Sequence, residues 1–367
     1  MSKKKTIIKW AALVVGGLII TLVSFGYWFL SLLPAPVVSK EVLRQTQPEN
    51  LPYMVEDKAP NRGKILAVVT STAVMGNSEK PTGYELTELA RAYYVFQANG
   101  FEVEIASPLG GTPPVVIDAD DMREYDYAFL NDEVAQNKVT NSLAMQDVKP
   151  DDYQAVFFVG GKGAMFDFPK NTHIQSLVLG YYESGKVIGA VCHGPAAFVN
   201  VTLGNGEPLI ANKTISSFTN EEELLLIPDA RDIFPFLLQD KLMEKGANFN
   251  EGSMYLNQVS SEKNLVTGQN PWSTWSTAES VVEQLGYTPK RREITTEENS
   301  VAILQAYETG GYDKAKETLS NYCSSNINAI DRELLAVHSI VAAMQFDLLK
   351  AIELIQLLSF SNDAVIN

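Results

Sequence analysis

The residues best suited to chemistry stand side by side: Cys192 and His193, in a chain of 367 residues with only two cysteines and three histidines. They follow the apolar run Val187-Ile188-Gly189-Ala190-Val191 and precede Gly194-Pro195-Ala196-Ala197, so a buried strand runs into a sharp turn walled by small residues. A thiol at such a strand-to-helix elbow is held exposed and strained above a sheet, where the following helix N-terminus favours thiolate over thiol. The competing reading is a buried structural cysteine, the commoner fate of a lone Cys, but the neighbouring His and Gly-Pro argue against it. His193 can serve as proton partner if a carboxylate elsewhere fixes its tautomer. A second apolar strand closes in Gly160-Gly161-Lys162-Gly163-Ala164, which can aim backbone N–H groups at a developing oxyanion. Taken alone that turn is equally a plain tight turn. Cys323 and His338 fall in the tail and read as core or surface residues, and two cysteines exclude a disulfide framework.

The elements that must position these groups alternate. Short β-rich runs at 65–70, 102–106, 155–159 and 187–191 are separated by helical patterns at 84–99 and 171–184. Strands spaced by helices of that length imply parallel βαβ units covered on both faces, with ligands binding outside the carboxyl ends of the strands. Cys192 and the glycine turn both fall at such ends.

The whole chain is 46% hydrophobic and 20% charged, with 29 Lys+Arg against 44 Asp+Glu and a net charge of −15. A disordered or collagen-like polymer is excluded, and nucleic acid is an unfavourable partner for so acidic a protein. At about 150 residues per domain the length suits roughly two units. Lys3, Lys4, Lys5 and Lys9 precede a run of 24 uncharged, mostly apolar residues, 10–33. As a helix it would reach about 36 Å, enough to cross a hydrocarbon core of about 30 Å. A cleaved signal peptide normally has an apolar core of only about 7–15 residues, and the Tyr27-Trp28-Phe29 group suits an interfacial belt. An uncleaved transmembrane anchor is therefore expected at 1–33, with the membrane as partner through 10–33. The lysine bias implies a single-pass protein with its N-terminus cytoplasmic and the catalytic domain extracytoplasmic.

A polar, Pro-containing tether is expected at 34–62, a catalytic domain at 63–289 and a helical region at 293–367. Beyond Pro289-Lys290-Arg291-Arg292 strand signals stop, and helical patterns occupy 298–309, 312–324, 331–344 and 346–360. Tyr312-Asp313 recurs as Phe346-Asp347 at the 34-residue interval of tetratricopeptide helix pairs. A generic helical appendage and a peptide-binding repeat module both fit.

Read in order, Thr82-Gly83-Tyr84-Glu85-Leu86-Thr87-Glu88-Leu89, Ala106-Ser107-Pro108-Leu109-Gly110-Gly111, Gly160-Gly161-Lys162-Gly163, Phe166-Asp167-Phe168-Pro169, Ala190-Val191-Cys192-His193-Gly194-Pro195, Phe218-Thr219-Asn220-Glu221-Glu222-Glu223 and Thr267-Gly268-Gln269-Asn270-Pro271 resemble the ThiJ/PfpI superfamily, which has a class I glutamine amidotransferase-like fold. Within it they resemble the branch of glyoxalase III enzymes and heat-shock chaperones. The resemblance covers about residues 63–289. It implies an α/β, flavodoxin-like parallel-sheet sandwich with a cysteine nucleophile elbow, here preceded by one transmembrane helix and followed by a small all-α region.

The same resemblance implies Cys192 as nucleophile and His193 as its catalytic neighbour. Glu223, or else Glu222, is the implied acidic member of the triad. Glu88 is the implied elbow-contacting glutamate, able to move protons at the sulfur if burial raises its pKa, while Glu85 faces solvent. The backbones of Gly161 and His193 are the implied oxyanion donors, with Gly160 beside them. Lys162 stands where close glyoxalase III relatives usually carry His, a departure that bears on substrate preference.

The function expected on this basis is a membrane-anchored, glutathione-independent glyoxalase, a lyase of D-lactate dehydratase type. It would convert methylglyoxal and related dicarbonyls to 2-hydroxy acids through a Cys192 hemithioacetal. No metal or cofactor is expected. The partners expected are the small dicarbonyl substrate, the membrane, and a protein partner or a second copy. The alternatives are a stress-related, redox-sensing or chaperone-like protein whose helical tail binds a partner, and a cysteine amidase or peptidase.

Overall fold

The computed structural model describes residues 3–33, 39–325 and 329–363. Two compact units result, one of residues 38–293 and one of residues 1–37 with 294–367. The first element is helix α1 (Lys3–Ser31). Among the described residues, however, no helix is long and apolar enough to cross a membrane. A span needs about 20 consecutive, predominantly apolar residues in one helix, a condition that no helix meets among the described residues. The expected transmembrane anchor at 10–33, the membrane as partner and the single-pass topology with an extracytoplasmic catalytic domain are corrected accordingly.

The larger unit is built on seven strands: β1 (Lys64–Val68), β2 (Glu102–Ser107), β3 (Leu143–Ala144), β4 (Ala155–Phe158), β5 (Val187–Val191), β6 (Val259–Glu262) and β7 (Leu265–Gly268). Their spatial order is β6-β7-β5-β4-β1-β2-β3. All neighbours are parallel except the β6–β7 hairpin. The apolar runs β4 and β5, buried along their whole length, take central places, as strands covered on both faces must. Register brings Val68, Phe158, Ala190 and Thr267 level with one another across β1, β4, β5 and β7. The glycine turn, Cys192 and the turn after Gly268 therefore leave the sheet at one edge.

The faces alternate as the pleat requires. Val156, Phe158, Ile188 and Ala190 join Ile174, Leu177, Val178 and Tyr181 of helix α4 (Thr172–Ser184) in one core. On the other face Phe157 lies 5.4 Å, ring to ring, from Phe96 of α2 (Leu86–Ala98). A Cβ on Gly189 would stand 2.6 Å from Phe157 and 2.7 Å from Val281 of α6 (Thr274–Gln284), so glycine is what lets α6 seat there. Helix α2 is buried almost all round, and its Arg91 is neutralised by Asp126 of α3 (Glu124–Asn131) at 3.4 Å. A short helix, α5 (Asn220–Leu226), follows Phe218, whose N–H donates to the Cys192 carbonyl at the carboxyl edge of the sheet.

In the smaller unit the C-terminal segment forms α7 (Thr296–Ser325), broken at Gly311 with φ 71°, then α8 (Arg332–Met344) and α9 (Leu348–Asp363). Arg332 is buried and donates to the Ser361 hydroxyl and carbonyl at 2.9 and 3.1 Å. Burial pushes the pKa of His338 down to about 3, so it packs as a neutral ring.

Candidate active site

Cys192 is the first residue beyond β5 and adopts φ +58°, a left-handed conformation that costs a non-glycine residue about 1–3 kcal/mol. Its neighbours hold it there. The Cys192 N–H donates to the Gly268 carbonyl at 2.9 Å, and the Phe218 N–H donates to the Cys192 carbonyl at 3.0 Å. Two residues on, a Cβ at position 194 would lie 2.2 Å from the Phe158 carbonyl oxygen, which is why the elbow continues in glycine. The segment that follows, Gly194–Phe198, is a five-residue 3-10 turn rather than an α-helix. Cys192 is only 4% exposed. Burial, followed by the neighbouring Glu88, pushes its thiol well up. The sequence implied an exposed sulfur poised as thiolate; the structure has a buried thiol that must lose its proton to a partner.

That partner is in place. The sulfur lies 3.2 Å from His193 Nδ1, and His193 Nε2 lies 2.6 Å from Glu223 Oε2. If the Nε2–H donates to the carboxylate, Nδ1 is left as the acceptor facing the thiol. Glu223 reaches the ring from the first turn of α5, which Thr219 caps by accepting from the Glu222 N–H at 3.1 Å. Three consecutive glutamates meet different fates because successive helical side chains diverge by about 100°. Glu221 is exposed and Glu223 meets His193. Glu222 turns inward to Tyr255, Gln269 and Asn270, where burial raises its pKa.

Glu88, in the first turn of α2, closes the other side of the sulfur. Its Oε2 accepts the Gly160 N–H at 2.7 Å, and its Oε1 is buried without a hydrogen-bond partner. Burial, with the nearby Glu85, pushes its pKa up to about 8, so the carboxyl is protonated at neutral pH. Gly160 cannot be larger: a Cβ would lie 2.6 Å from Glu88 Oε2 and 2.8 Å from Cys192 Cβ. Gly161, at φ +93°, aims its N–H at the sulfur. The Lys162 charge opposes the upward shifts of Glu85, Glu88 and Cys192. Glu85 departs from its expected solvent-facing role. Its N–H donates to the Gly160 carbonyl at 3.3 Å, and burial pushes its half-buried carboxyl to about 8.

The sequence-level candidates Cys192, His193, Glu88, Glu223, Gly160, Gly161 and Lys162 thus come together at one edge, while Cys323 and His338 belong to the other unit. Several neighbours were not foreseen. Phe218 stacks 4.7 Å from His193, Tyr255 follows 6.3 Å from Phe218, and Trp272 stands 5.5 Å from Tyr255. Tyr255 sits in an irregular loop with no periodic pattern to announce it. Asp167 accepts from the Thr70 hydroxyl at 2.8 Å and the Ser71 N–H at 2.7 Å, tying the turn after β1 to the glycine turn. Only its place in the Phe166-Asp167-Phe168-Pro169 motif pointed to it. Two surface clefts, beside Lys263 and Asn264 and beside Lys58 and Gly100, lie at the opposite edge of the sheet and include none of these groups. Among the described residues no cluster of three or more His, Cys, Asp or Glu is arranged to hold a metal ion.

Residues 80–223 match the family model described as the DJ-1/PfpI family. Glyoxalase 3 of Candida albicans is 30% identical over 234 residues, which make up 59% of this chain and 96% of that protein. The glutathione-independent glyoxalase HSP31 of Saccharomyces cerevisiae is 31% identical, over 60% of this chain and 97% of its own. Among solved structures, the rapid encystment protein of 24 kDa from Francisella tularensis superposes with a TM-score of 0.58 at 38% identity, covering 61% of this chain and 99% of that one.

Proposed function

Because this chain belongs to the DJ-1/PfpI family and is an enzyme of that family, we propose that it is a glutathione-independent glyoxalase acting on small dicarbonyls such as methylglyoxal. The observation that carries the reading is the placement of one buried thiol between a protonated carboxyl, Glu88, and a histidine oriented by a carboxylate, His193 with Glu223. The relatives named as glutathione-independent glyoxalases support the substrate class.

In the proposed cycle His193 Nδ1 takes the thiol proton as Sγ adds to the aldehyde carbon, and the Gly161 and His193 backbone N–H groups receive the developing alkoxide. The product is a hemithioacetal. The hydrogen on C1 leaves as a proton and the C2 carbonyl oxygen gains one, giving an enediol. Protonation at C2 and loss of the C1 hydroxyl proton give the thioester of a 2-hydroxy acid. Glu88 and His193 are the groups placed to relay these protons. Water then cleaves the thioester, releasing lactate and restoring the thiol. C1 is oxidised and C2 reduced within one molecule, so the overall reaction is methylglyoxal plus water to lactate.

Redox sensing is less well supported, since oxidation follows thiolate character and exposure and Cys192 is buried with its pKa raised. The test is lactate formation from methylglyoxal without glutathione, which Cys192→Ala should abolish. Equal lactate from both proteins would sink the mechanism.

A further inference from the structure

Glu222 touches none of the reacting atoms, yet the segments that define the site converge on it. It is fully buried. Its Oε2 accepts the Thr219 N–H at 2.9 Å. Its Oε1 accepts the Tyr255 N–H at 2.7 Å, Asn270 Nδ2 at 2.8 Å and Gln269 Nε2 at 3.1 Å. The Tyr255 hydroxyl donates to the Glu222 carbonyl at 2.9 Å.

Two of these donors adjoin residues that hold the Cys192 backbone. Thr219 follows Phe218, whose N–H holds the Cys192 carbonyl and whose ring stacks on His193. Gln269 follows Gly268, whose carbonyl holds the Cys192 N–H. The two backbone bonds that keep Cys192 at φ +58° therefore come from segments that Glu222 ties to each other. Gln269 extends the tie, accepting the Gly252 N–H on Oε1 at 2.8 Å. Tyr255, itself at φ +55°, carries the aromatic wall outward.

We propose that Glu222 is a positioning residue: by collecting four donors from three segments, its carboxylate fixes the backbone of the cysteine elbow and the Phe218–Tyr255 wall relative to His193. All four surrounding groups donate, so a carboxylate satisfies them and an amide, with a single accepting atom, leaves donor facing donor.

Only the turnover readout of the test rests on the glyoxalase reading. Glu222→Gln and Gln269→Met are made in the full chain, each with Cys323→Ser so that Cys192 is the one thiol. Iodoacetamide alkylation of Cys192, well below the unfolding midpoint, is compared with methylglyoxal turnover. Displacing a base by about 1 Å can cost roughly 100-fold. Glu222→Gln should therefore lower kcat by roughly that factor with little change in KM, and slow alkylation severalfold. Gln269→Met, which removes one of the four donors, should lower kcat about tenfold. A purely structural role would lower the unfolding midpoint but leave the alkylation rate of folded protein unchanged. Folded variants that alkylate and turn over within twofold of the parent would overturn the proposal. If Glu222→Gln does not fold, Gln269→Met decides by the same criteria. If the parent makes no lactate, the glyoxalase reading fails while the alkylation comparison still decides the role of Glu222.

Discussion

Glu88→Gln should stop turnover and yet, at alkaline pH, make the protein more stable than the wild type. Burial lifts the Glu88 carboxyl from an ordinary 4.5 to about 8. Below about pH 4.5 the proton is present in folded and unfolded chains alike, and Glu88 carries no pH-linked penalty. Between 4.5 and about 8 the unfolded chain releases the proton while the folded chain retains it. The stability contribution is thus lost at about 1.4 kcal/mol per pH unit as pH rises, reaching on the order of 3 kcal/mol at pH 7 and 5 kcal/mol above pH 8. Gln keeps an oxygen for the Gly160 N–H but buries an amide against the thiol, at a cost of about 1–3 kcal/mol at every pH. The variant should therefore be the less stable protein near pH 5 and the more stable one near pH 9, with the curves crossing on the acid side of neutrality, between about pH 5 and 7. For a unit of this size the gap corresponds to roughly 2–4 °C in midpoint per kcal/mol. Glu85, with the same elevated pKa, titrates in both proteins and cancels to first order. Denaturant unfolding of both proteins from pH 5 to 9, followed by circular dichroism, measures the difference. Parallel stability curves across that range would refute a buried, protonated Glu88.

Other outcomes follow from the same geometry. Glu223→Gln removes the carboxylate that selects the His193 tautomer at 2.6 Å. By analogy with other histidine-orienting carboxylates it should cost roughly 10²–10⁴-fold in kcat with KM little changed; a loss below threefold in the lactate assay would dismiss its role. The Lys162 charge partly opposes the upward shifts of Cys192 and Glu88. Lys162→Met should accordingly move the pH profile of Cys192 alkylation to higher pH, and an unmoved profile would show that the ammonium does not act on the sulfur.

The sheet was legible because its strands are continuous apolar runs, and the site because Cys192, His193 and the glycine turn each end one of them. What sequence could not deliver was direction. Glu85 and Glu88 lie three residues apart on similar patterns, and only the approach of Gly160 reveals that the Glu88 carboxyl and the Glu85 backbone both bond to it. Glu222 and Glu223 are adjacent and chemically identical, so which of them meets His193 is a matter of helix phase at α5. The thiol was misjudged for a related reason: a motif names the elbow but not how deeply neighbouring loops bury it. Tyr255 lies outside any periodic element, and hydrogen bonds from distant segments decide where its ring goes. The stretch at 10–33 shows the limit of composition, since the expectation of a span drawn from it was overturned among the described residues.

The N–H of Cys192 is bonded to β7, which is separated from the sheet's margin only by β6. Cys192 is thus moored toward the periphery of the fold while the strand that carries it belongs to the centre. Fraying that peeled the β6–β7 hairpin away would remove that bond and free the left-handed residue to relax into an ordinary backbone conformation while the interior stayed packed. The geometry around Cys192 is therefore expected to change in heat or denaturant before bulk secondary structure does.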